Sequence, residues 1–582
     1  MNTFFYTSER NVQILISLLK ENQIRKVIAS PGTTNLTFIA SIQNDSFFEL
    51  FSSVDERSAA YLACGLSAQS GEPVVLSCTG ATASRNYFSG LTEAYYRKLP
   101  ILAITSAQSE SRIGHLRAQV IDRSQQPLDT VIHSEHVCSV TTKEDEWDAT
   151  IRLNRAILAL NHHGGGPVHI NLVTTYSKDF SVKELPAVRV IRRYTQNDKL
   201  PELPKGRIAV VLGNHKTFSE DETVAIDNFC ATHDAVVFCD HTSGYYGKYR
   251  VQFALVLGQS DHICNLRNLD LLIHLGEVSG DSPTFAGLKP NEVWRVSEDG
   301  ELRDTFNKLI NVFEMPEEVF FKHYSSITEP AKDDFYRKCQ SELDMVRANI
   351  PDLPFAHTWI ASQTAHRIPN DSILHLAIYN SLRNWNFFEV DNSVIRSCNT
   401  GGFGIDGILS TLVGASLAEP EKICFAVIGD LAFFYDMNVA GNRHVGRNVR
   451  ILLVNNGKGT EFRNYNHPGA AFGDDADLYI AAGGHFGNKS RQLVKHYAED
   501  LGFEYMSAES KEEYLKNLDR FVTPELIDRP LLFEVFTTSE DESDSLMAIR
   551  HSVTNSTGQA RKILKSIVGD KGVNYVKKMI KK

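Results

Sequence analysis

The sequence predicts three doubly wound α/β domains, each built on a parallel sheet. Three observations carry this. Short, continuously apolar runs recur along the chain, helix-length segments separate them, and the pattern restarts twice after polar or charged stretches. A run that is apolar at every residue belongs to a strand buried on both faces, the condition of a parallel sheet flanked by helices. With 582 residues, the chain also exceeds what one core can organise.

The first unit, residues 1–180, alternates helix and strand. A helix over about Glu9–Glu21 precedes the strand Lys26–Ser30, which Pro31-Gly32 ends abruptly. Strands follow at Pro73–Cys78, Ile101–Thr105 and Pro167–Val173, the first of them running into the small-residue turn Thr79-Gly80-Ala81-Thr82. Residues 181–205 are polar and Pro-containing, and read as a linker. The second unit, 206–345, has strands near Ile208–Leu212, Ala235–Cys239 and Leu271–Leu275. Its first strand meets no Gly-x-Gly-x-x-Gly, so it lacks a dinucleotide fingerprint and reads as architectural. The charged segment Glu314–Ala356 reads as helical and connecting. The third unit, 346–545, has strands at Ile373–Ile378, Ile423–Ile428, Ile451–Val454 and Leu531–Phe536. A Lys-rich tail, 546–582, carries Ile563, Leu564, Ile567 and Val568 at the spacing of a docked amphipathic helix.

Composition narrows the function classes. The hydrophobic content of 42% and charged content of 23% are those of an ordinary globular protein. A net charge of −11 opposes general binding to nucleic acid or anionic membranes. No signal-peptide pattern opens the chain and no apolar run has the length of a membrane span, so a cytoplasmic location is expected. The nine cysteines are scattered without a Cys-x-x-Cys pair, which indicates neither a disulfide framework nor a structural zinc.

Two constellations bear chemistry. Asp430 and Asn456 each end an apolar run, with one helix and a return strand between them. In a parallel sheet both emerge at neighbouring carboxyl ends, where α/β proteins bind ligands. A carboxylate, an amide oxygen and a nearby backbone carbonyl form an incomplete oxygen set suited to Mg²⁺, which takes its remaining ligands from phosphates and water. Ordinary turn chemistry is the plainer reading of Gly429-Asp430 and Asn455-Asn456-Gly457. The second constellation is Asp55-Glu56 at a helix start, where acids also act as simple caps.

These motifs resemble those of the thiamine diphosphate (ThDP) enzymes. Gly-Asp-x, a spacer in the twenties and Asn-Asn is similar to their diphosphate anchor. Asp55-Glu56-Arg57-Ser58-Ala59-Ala60, Ser77-Cys78-Thr79-Gly80 and Asn86 resemble their pyrimidine-binding domain. Ser30-Pro31-Gly32, Gly404–Thr411 and Tyr435-Asp436-Met437-Asn438 are similar to the 2-succinyl-5-enolpyruvyl-6-hydroxy-3-cyclohexene-1-carboxylate synthases of the menaquinone pathway, in order along nearly the whole chain.

The resemblance implies the pyrimidine-binding, central and diphosphate-binding domains of that enzyme type. It implies ThDP and Mg²⁺ as cofactors, with Mg²⁺ held by Asp430, Asn456 and the carbonyl of Lys458. Glu56 is then the glutamate at the aminopyrimidine ring, with Pro31, Thr79, Gly80 and Asn86 beside it. Gly401, Gly402, Phe403, Gly429, Leu431 and Ala432 border the diphosphate, and Ile405 props the cofactor. Gln119, in Ala118-Gln119-Val120-Ile121-Asp122, matches an active-site glutamine. His115 is a candidate proton shuttle or a solvated loop residue, while His444 and His467 read as surface residues. Lys458 and Glu461 would border the acceptor site. A homodimer or homotetramer is implied, with active sites at the dimer interface.

The expected reaction is decarboxylation of a 2-oxo acid and transfer of the acyl carbanion to an acceptor, with no nucleic-acid partner. Alternatives are a simple decarboxylase, an acetolactate synthase-like enzyme, or a non-catalytic subunit that keeps the fold. The chain departs from the menaquinone synthases at Thr34, Gln108 and Thr400, where they carry arginines for substrate carboxylates. The menaquinone reaction is therefore not expected.

Overall fold

A computed structural model describes residues 5–325, 334–484 and 489–553. The chain divides into two compact units, Met1–Asp198 with Gly300–Glu314, and Lys199–Asp299 with Met315–Lys582.

In the first unit six strands form a parallel sheet: β1 (Lys26–Ala29), β2 (Glu49–Ser52), β3 (Val74–Cys78), β4 (Ile101–Ala107), β5 (His133–Val137) and β6 (Val168–Val173), in the order β2-β1-β3-β4-β6-β5. Every residue of β3, β4 and β6 is buried, as continuous apolar runs require. Ala29 stands opposite Ser77, and Cys78 opposite Thr105, so the turns after β1, β3 and β4 open on one edge. The helix Glu56–Ser70 approaches the helix Phe88–Tyr96 closely. A Cβ on Gly90 would lie 2.4 Å from the Cβ of Ala60, so only a glycine fits there. The stretch read as a linker contains β7 (Arg192–Thr195), which pairs in parallel with β13 (Leu309–Glu314).

The second unit holds two sheets. One orders its parallel strands as β10 (Arg250–Val251), β9 (Val236–Phe238), β8 (Ile208–Leu212), β11 (Asn268–Leu275) and β12 (Lys289–Val296). The other comprises β14 (Ile373–Leu376), β15 (Ile395–Ser397), β16 (Cys424–Gly429), β17 (Val449–Asn455), β18 (Glu504–Ala508) and β19 (Leu531–Phe536). Its order is β15-β14-β16-β17-β19-β18, again all parallel. Within 314–356 lie the helices Glu317–Tyr324 and Asp334–Ala348.

Arg450 sits at the centre of this last sheet with no solvent exposure. Its guanidinium donates to the carbonyls of Phe521 (2.8 Å), Thr523 (2.6 Å) and Glu525 (2.7 Å), closing the turn that leads toward β19. Among the described residues no helix is long and apolar enough to cross a membrane. All nine cysteines are free. The tail helix expected over 561–582 lies outside the described residues.

Candidate active site

In the second unit β16 ends at Gly429 and a helix begins at Asp430, while β17 ends at Asn455 beside it. Gly429 stands opposite Val454 in the register, so Asp430 and Asn456 leave the sheet at neighbouring carboxyl ends. Both line a cavity of about 530 Å³, together with Phe403, Ile405, Gly429, Leu431, Ala432 and Lys458. Gly401 and Gly402 are exposed and lie outside its lining.

Asp430 is 4% exposed, and burial pushes its carboxyl up to about 7. Its oxygens accept from the N–H groups of Leu431 (2.9 Å) and Gly457 (2.6 Å). Among the described residues no cationic side chain pairs with it. Lys458 of the wall, and Arg383, which is bonded to the wall's Glu461, are engaged elsewhere. Arg383 forks onto Glu461 at 2.6 and 3.0 Å, and Lys458 Nζ meets Asp477 at 2.7 Å. A buried carboxylate with nearby amide and carbonyl oxygens, and no internal countercharge, fits a divalent cation.

Asn456 is held from two sides. Thr460 Oγ1 donates to its Oδ1 at 2.7 Å, and on the other side its side chain acts on Glu542, favouring the ionised carboxyl. Glu542 is 4% exposed, is pushed up to about 7 by burial, and also accepts from Thr537 Oγ1 (2.7 Å) and the N–H of His357 (3.1 Å). The Lys458 carbonyl accepts from the N–H of Thr460 at 2.9 Å. Tyr379 holds a positive φ of 67° at the cavity wall, and its hydroxyl donates to the carbonyl of Phe403 at 2.6 Å. Such backbone strain persists where the surroundings over-determine it, as at ligand sites. His467, read as a surface residue, instead lines the cavity, where its Nδ1 accepts from the N–H of Gly469 at 2.9 Å.

In the first unit the acids at the helix start divide their roles. Asp55 is the cap, accepting from the N–H groups of Arg57 (2.9 Å) and Ser58 (3.4 Å). Glu56 is half-buried, and its Oε2 accepts from Asn86 Nδ2 at 3.1 Å. Thr79 meets Thr34 hydroxyl to hydroxyl. A Cβ on Gly32 would come within 2.6 Å of Thr79 Cβ, so the Pro31-Gly32 turn packs directly on the turn after β3. A Cβ on Gly80 would lie 3.0 Å from the Gln119 carbonyl oxygen. Gln119 is exposed and adopts a φ of 64°, and His115 is exposed on the same loop.

The three positions read from the sequence as departures from the synthases are all engaged within the fold. Thr34 is bonded to Thr79, Gln108 accepts from Arg112, and Thr400 accepts from Asn214 Nδ2 at 2.6 Å. Sequence reading missed Glu542, Arg383 and the burial of Arg123. An acid or guanidinium that reaches the site from a distant element leaves no local pattern.

Residues 10–129 match the family described as thiamine pyrophosphate enzyme, N-terminal TPP binding domain. The chain is 29% identical over 571 residues to the 2-succinyl-5-enolpyruvyl-6-hydroxy-3-cyclohexene-1-carboxylate synthase of Bacteroides thetaiotaomicron, covering 94% of this chain and 99% of that one. The protein of the same name from Porphyromonas gingivalis is 28% identical, with 92% and 98% covered. That from Flavobacterium johnsoniae is 25% identical, with 90% and 95% covered.

Proposed function

We propose that this chain, which matches the thiamine pyrophosphate enzyme N-terminal domain over residues 10–129 and is 29% identical to a synthase along nearly its whole length, is a thiamine diphosphate-dependent enzyme that decarboxylates a 2-oxo acid and transfers the resulting acyl carbanion to an acceptor other than that of the menaquinone-pathway synthases. The observation that carries this reading is the freedom of Glu56. Asp55 takes the capping work, so the Glu56 carboxyl, oriented by Asn86, remains for a ligand. A carboxyl spared from helix capping is what the aminopyrimidine ring needs.

Asp430, Asn456 and the Lys458 carbonyl would hold Mg²⁺, and Gly429, Leu431, Ala432 and Phe403 would border the diphosphate. Gly401 and Gly402 would contribute backbone N–H groups next to them, and Ile405 would support the cofactor from below. Bound ThDP supplies a carbon nucleophile and an electron sink for loss of CO₂. Pro31, Thr79 and Gly80 form the floor on the pyrimidine side, and Gln119 faces the substrate, with His115 placed to carry a proton on the same loop. A cytoplasmic homodimer or homotetramer is part of this proposal. Supporting it, Tyr61 and Leu62 on the Glu56 helix are 49% and 54% exposed, and Leu116 is fully exposed. Large apolar side chains left this exposed are what a subunit interface would cover. The internal engagement of Thr34, Gln108 and Thr400 supports a different acceptor.

The test is incubation of the purified chain with ThDP, Mg²⁺ and a panel of 2-oxo acids, with CO₂ release followed with and without aldehyde acceptors. Release that gives a ligated product supports the proposal. Release that gives only the aldehyde of the donor assigns simple decarboxylation, and no release with any donor removes the catalytic reading.

A further inference from the structure

Beneath Gly80 and Gln119 lies a guanidinium that the fold does not satisfy. Arg123 is 2% exposed, and its one hydrogen bond runs from Nη2 to the carbonyl of Ser106 at 3.1 Å. Its Nε and Nη1 are buried without an acceptor. Arg450, also buried, is held by three carbonyls and leaves only its Nε without an acceptor. Arg123 has no such cradle.

Among the described residues no carboxylate pairs with it. Asp122 and Glu110 line the same narrow cleft. Asp122, however, accepts from Ser124 N at 3.0 Å and Ser124 Oγ at 2.7 Å, and Glu110 pairs with His136 at 3.2 Å. Burial lowers the pKa of Arg123, and Arg85 adds a second positive charge nearby. A buried, unpaired guanidinium is costly to keep, and its free N–H donors suit an anion such as a carboxylate.

Its position ties it to the proposed site. A Cβ on Gly80 would lie 3.0 Å from Arg123 Nη1 as well as from the Gln119 carbonyl, so the missing side chain makes room for the guanidinium. Thr79, next to Gly80, is bonded to Thr34, one of the positions without an arginine. Cation and missing cation therefore flank the same turn.

We propose that Arg123 binds a carboxylate of the substrate, and specifically one that stays on the molecule through the reaction. This rests on the ThDP-dependent decarboxylation proposed above. A guanidinium on the departing carboxylate would stabilise the ground state more than the transition state, because that charge disperses as CO₂ forms. The substrate class is thus a donor or acceptor with an additional carboxylate.

The experiment uses the enzyme loaded with ThDP and Mg²⁺, titrated calorimetrically with malonate, succinate and glutarate, and with neutral glutaramide as control. At least one dianion is expected to bind and glutaramide not to. Arg123→Met is expected to weaken dianion binding by about tenfold or more, with ThDP affinity retained and Arg123→Lys intermediate. Arg123→Gln, a polar replacement, is measured alongside in case the Met variant misfolds. CO₂ release without acceptor assigns the source: a fall in kcat/KM there places the carboxylate on the donor, and a fall only in transfer places it on the acceptor. Equal dianion affinity in wild type and in folded variants, or no dianion binding by wild type, overturns the proposal. Failure of wild type to bind ThDP would instead strike the underlying cofactor reading.

Discussion

Asn86 Nδ2 donates to Glu56 Oε2 at 3.1 Å, while the neighbouring Asp55 takes both backbone N–H groups of the helix start. Adjacent acids thus do separate jobs, and they can be tested separately. Glu56→Gln is expected to keep the melting temperature and slow hydrogen exchange at C2 of bound ThDP by ~10²–10⁴-fold, the usual size of an acid–base contribution. Asp55→Ala is expected to do the reverse, lowering the melting temperature without slowing exchange. Proton exchange followed by NMR, beside thermal melts, checks both. An unchanged exchange rate in Glu56→Gln would assign that residue to structure alone.

The Asp430 carboxylate is buried among neutral donors, so its charge is the reason to bind a cation. Asp430→Asn keeps the side-chain shape while removing that charge. It is expected to fold and to lose ThDP binding at millimolar Mg²⁺. Calorimetry with and without Mg²⁺ reads this, and Mg²⁺-dependent ThDP binding equal to wild type would count against the metal assignment.

Glu542 acts on the same site through Asn456. Glu542→Gln can still hydrogen-bond, whereas Glu542→Leu cannot. The Leu variant is expected to weaken Mg²⁺-dependent ThDP binding by ~10–100-fold, the usual effect of removing a partner that orients a metal ligand, and the Gln variant by less. Equal affinities in the two variants would show that Glu542 serves packing only.

Acid stability has a separate origin. Burial alone would raise Glu389, but Arg250 (2.7 Å) and Arg347 (2.8 Å) more than reverse this and hold its carboxyl at about 2. A carboxyl whose pKa is depressed on folding stabilises the fold above its unfolded value near ~4.3, and loses that contribution as pH falls toward 2. Because Glu389 is partly exposed, the contribution is taken as ~1–2 kcal/mol. Glu389→Gln is expected to be less stable than wild type at pH 7 and to converge on it by about pH 2. Urea melts across that range measure it, and a constant difference at every pH would exclude the ion pairs as the cause.

Transfer from 2-oxoglutarate to isochorismate, the reaction of the menaquinone-pathway synthases, is expected to be slow, because Arg123 is one cation where those enzymes carry several. Thr34, Gln108 and Thr400 are neutral and already engaged within the fold. A hydrogen bond to a charged group contributes ~1.5–3 kcal/mol, so losing several costs at least ~10²–10³-fold in kcat/KM even with partial compensation. Steady-state assay beside a genuine synthase decides this, and comparable turnover would refute it.

The legible parts of the sequence were those with local causes. Strands buried on both faces announce themselves as apolar runs, which is how β3, β4, β16, β17 and β19 could be read. Four strands of the first and last sheets could not be read, and they are the four edges: β2, β5, β15 and β18. An edge strand is covered on fewer sides and tolerates polar residues, as Glu49–Ser52 and Glu504–Ala508 do. The same logic governs the site. Gly429-Asp430 and Asn455-Asn456 are turns at strand ends and were visible, as was the helix start at Asp55-Glu56. Glu542 reaches Asn456 from a later helix, and Arg383 reaches Glu461 from an earlier one. Burial of Arg123 depends on the missing side chain of Gly80, which no periodicity records.

Arg450 has a consequence for the order of folding. Its three carbonyl partners lie 71, 73 and 75 residues further along the chain. Until that turn closes, β17 carries a charge that cannot enter a sheet interior without loss. Docking of β17 is therefore energetically coupled to closure of the 521–525 turn, across a long intervening loop. A partly assembled sheet that stops at β17 is penalised, so a nascent chain gains little by docking this strand early. This half of the third sheet is therefore expected to open and close as one cooperative unit, readable by hydrogen exchange of β17 and β19 together.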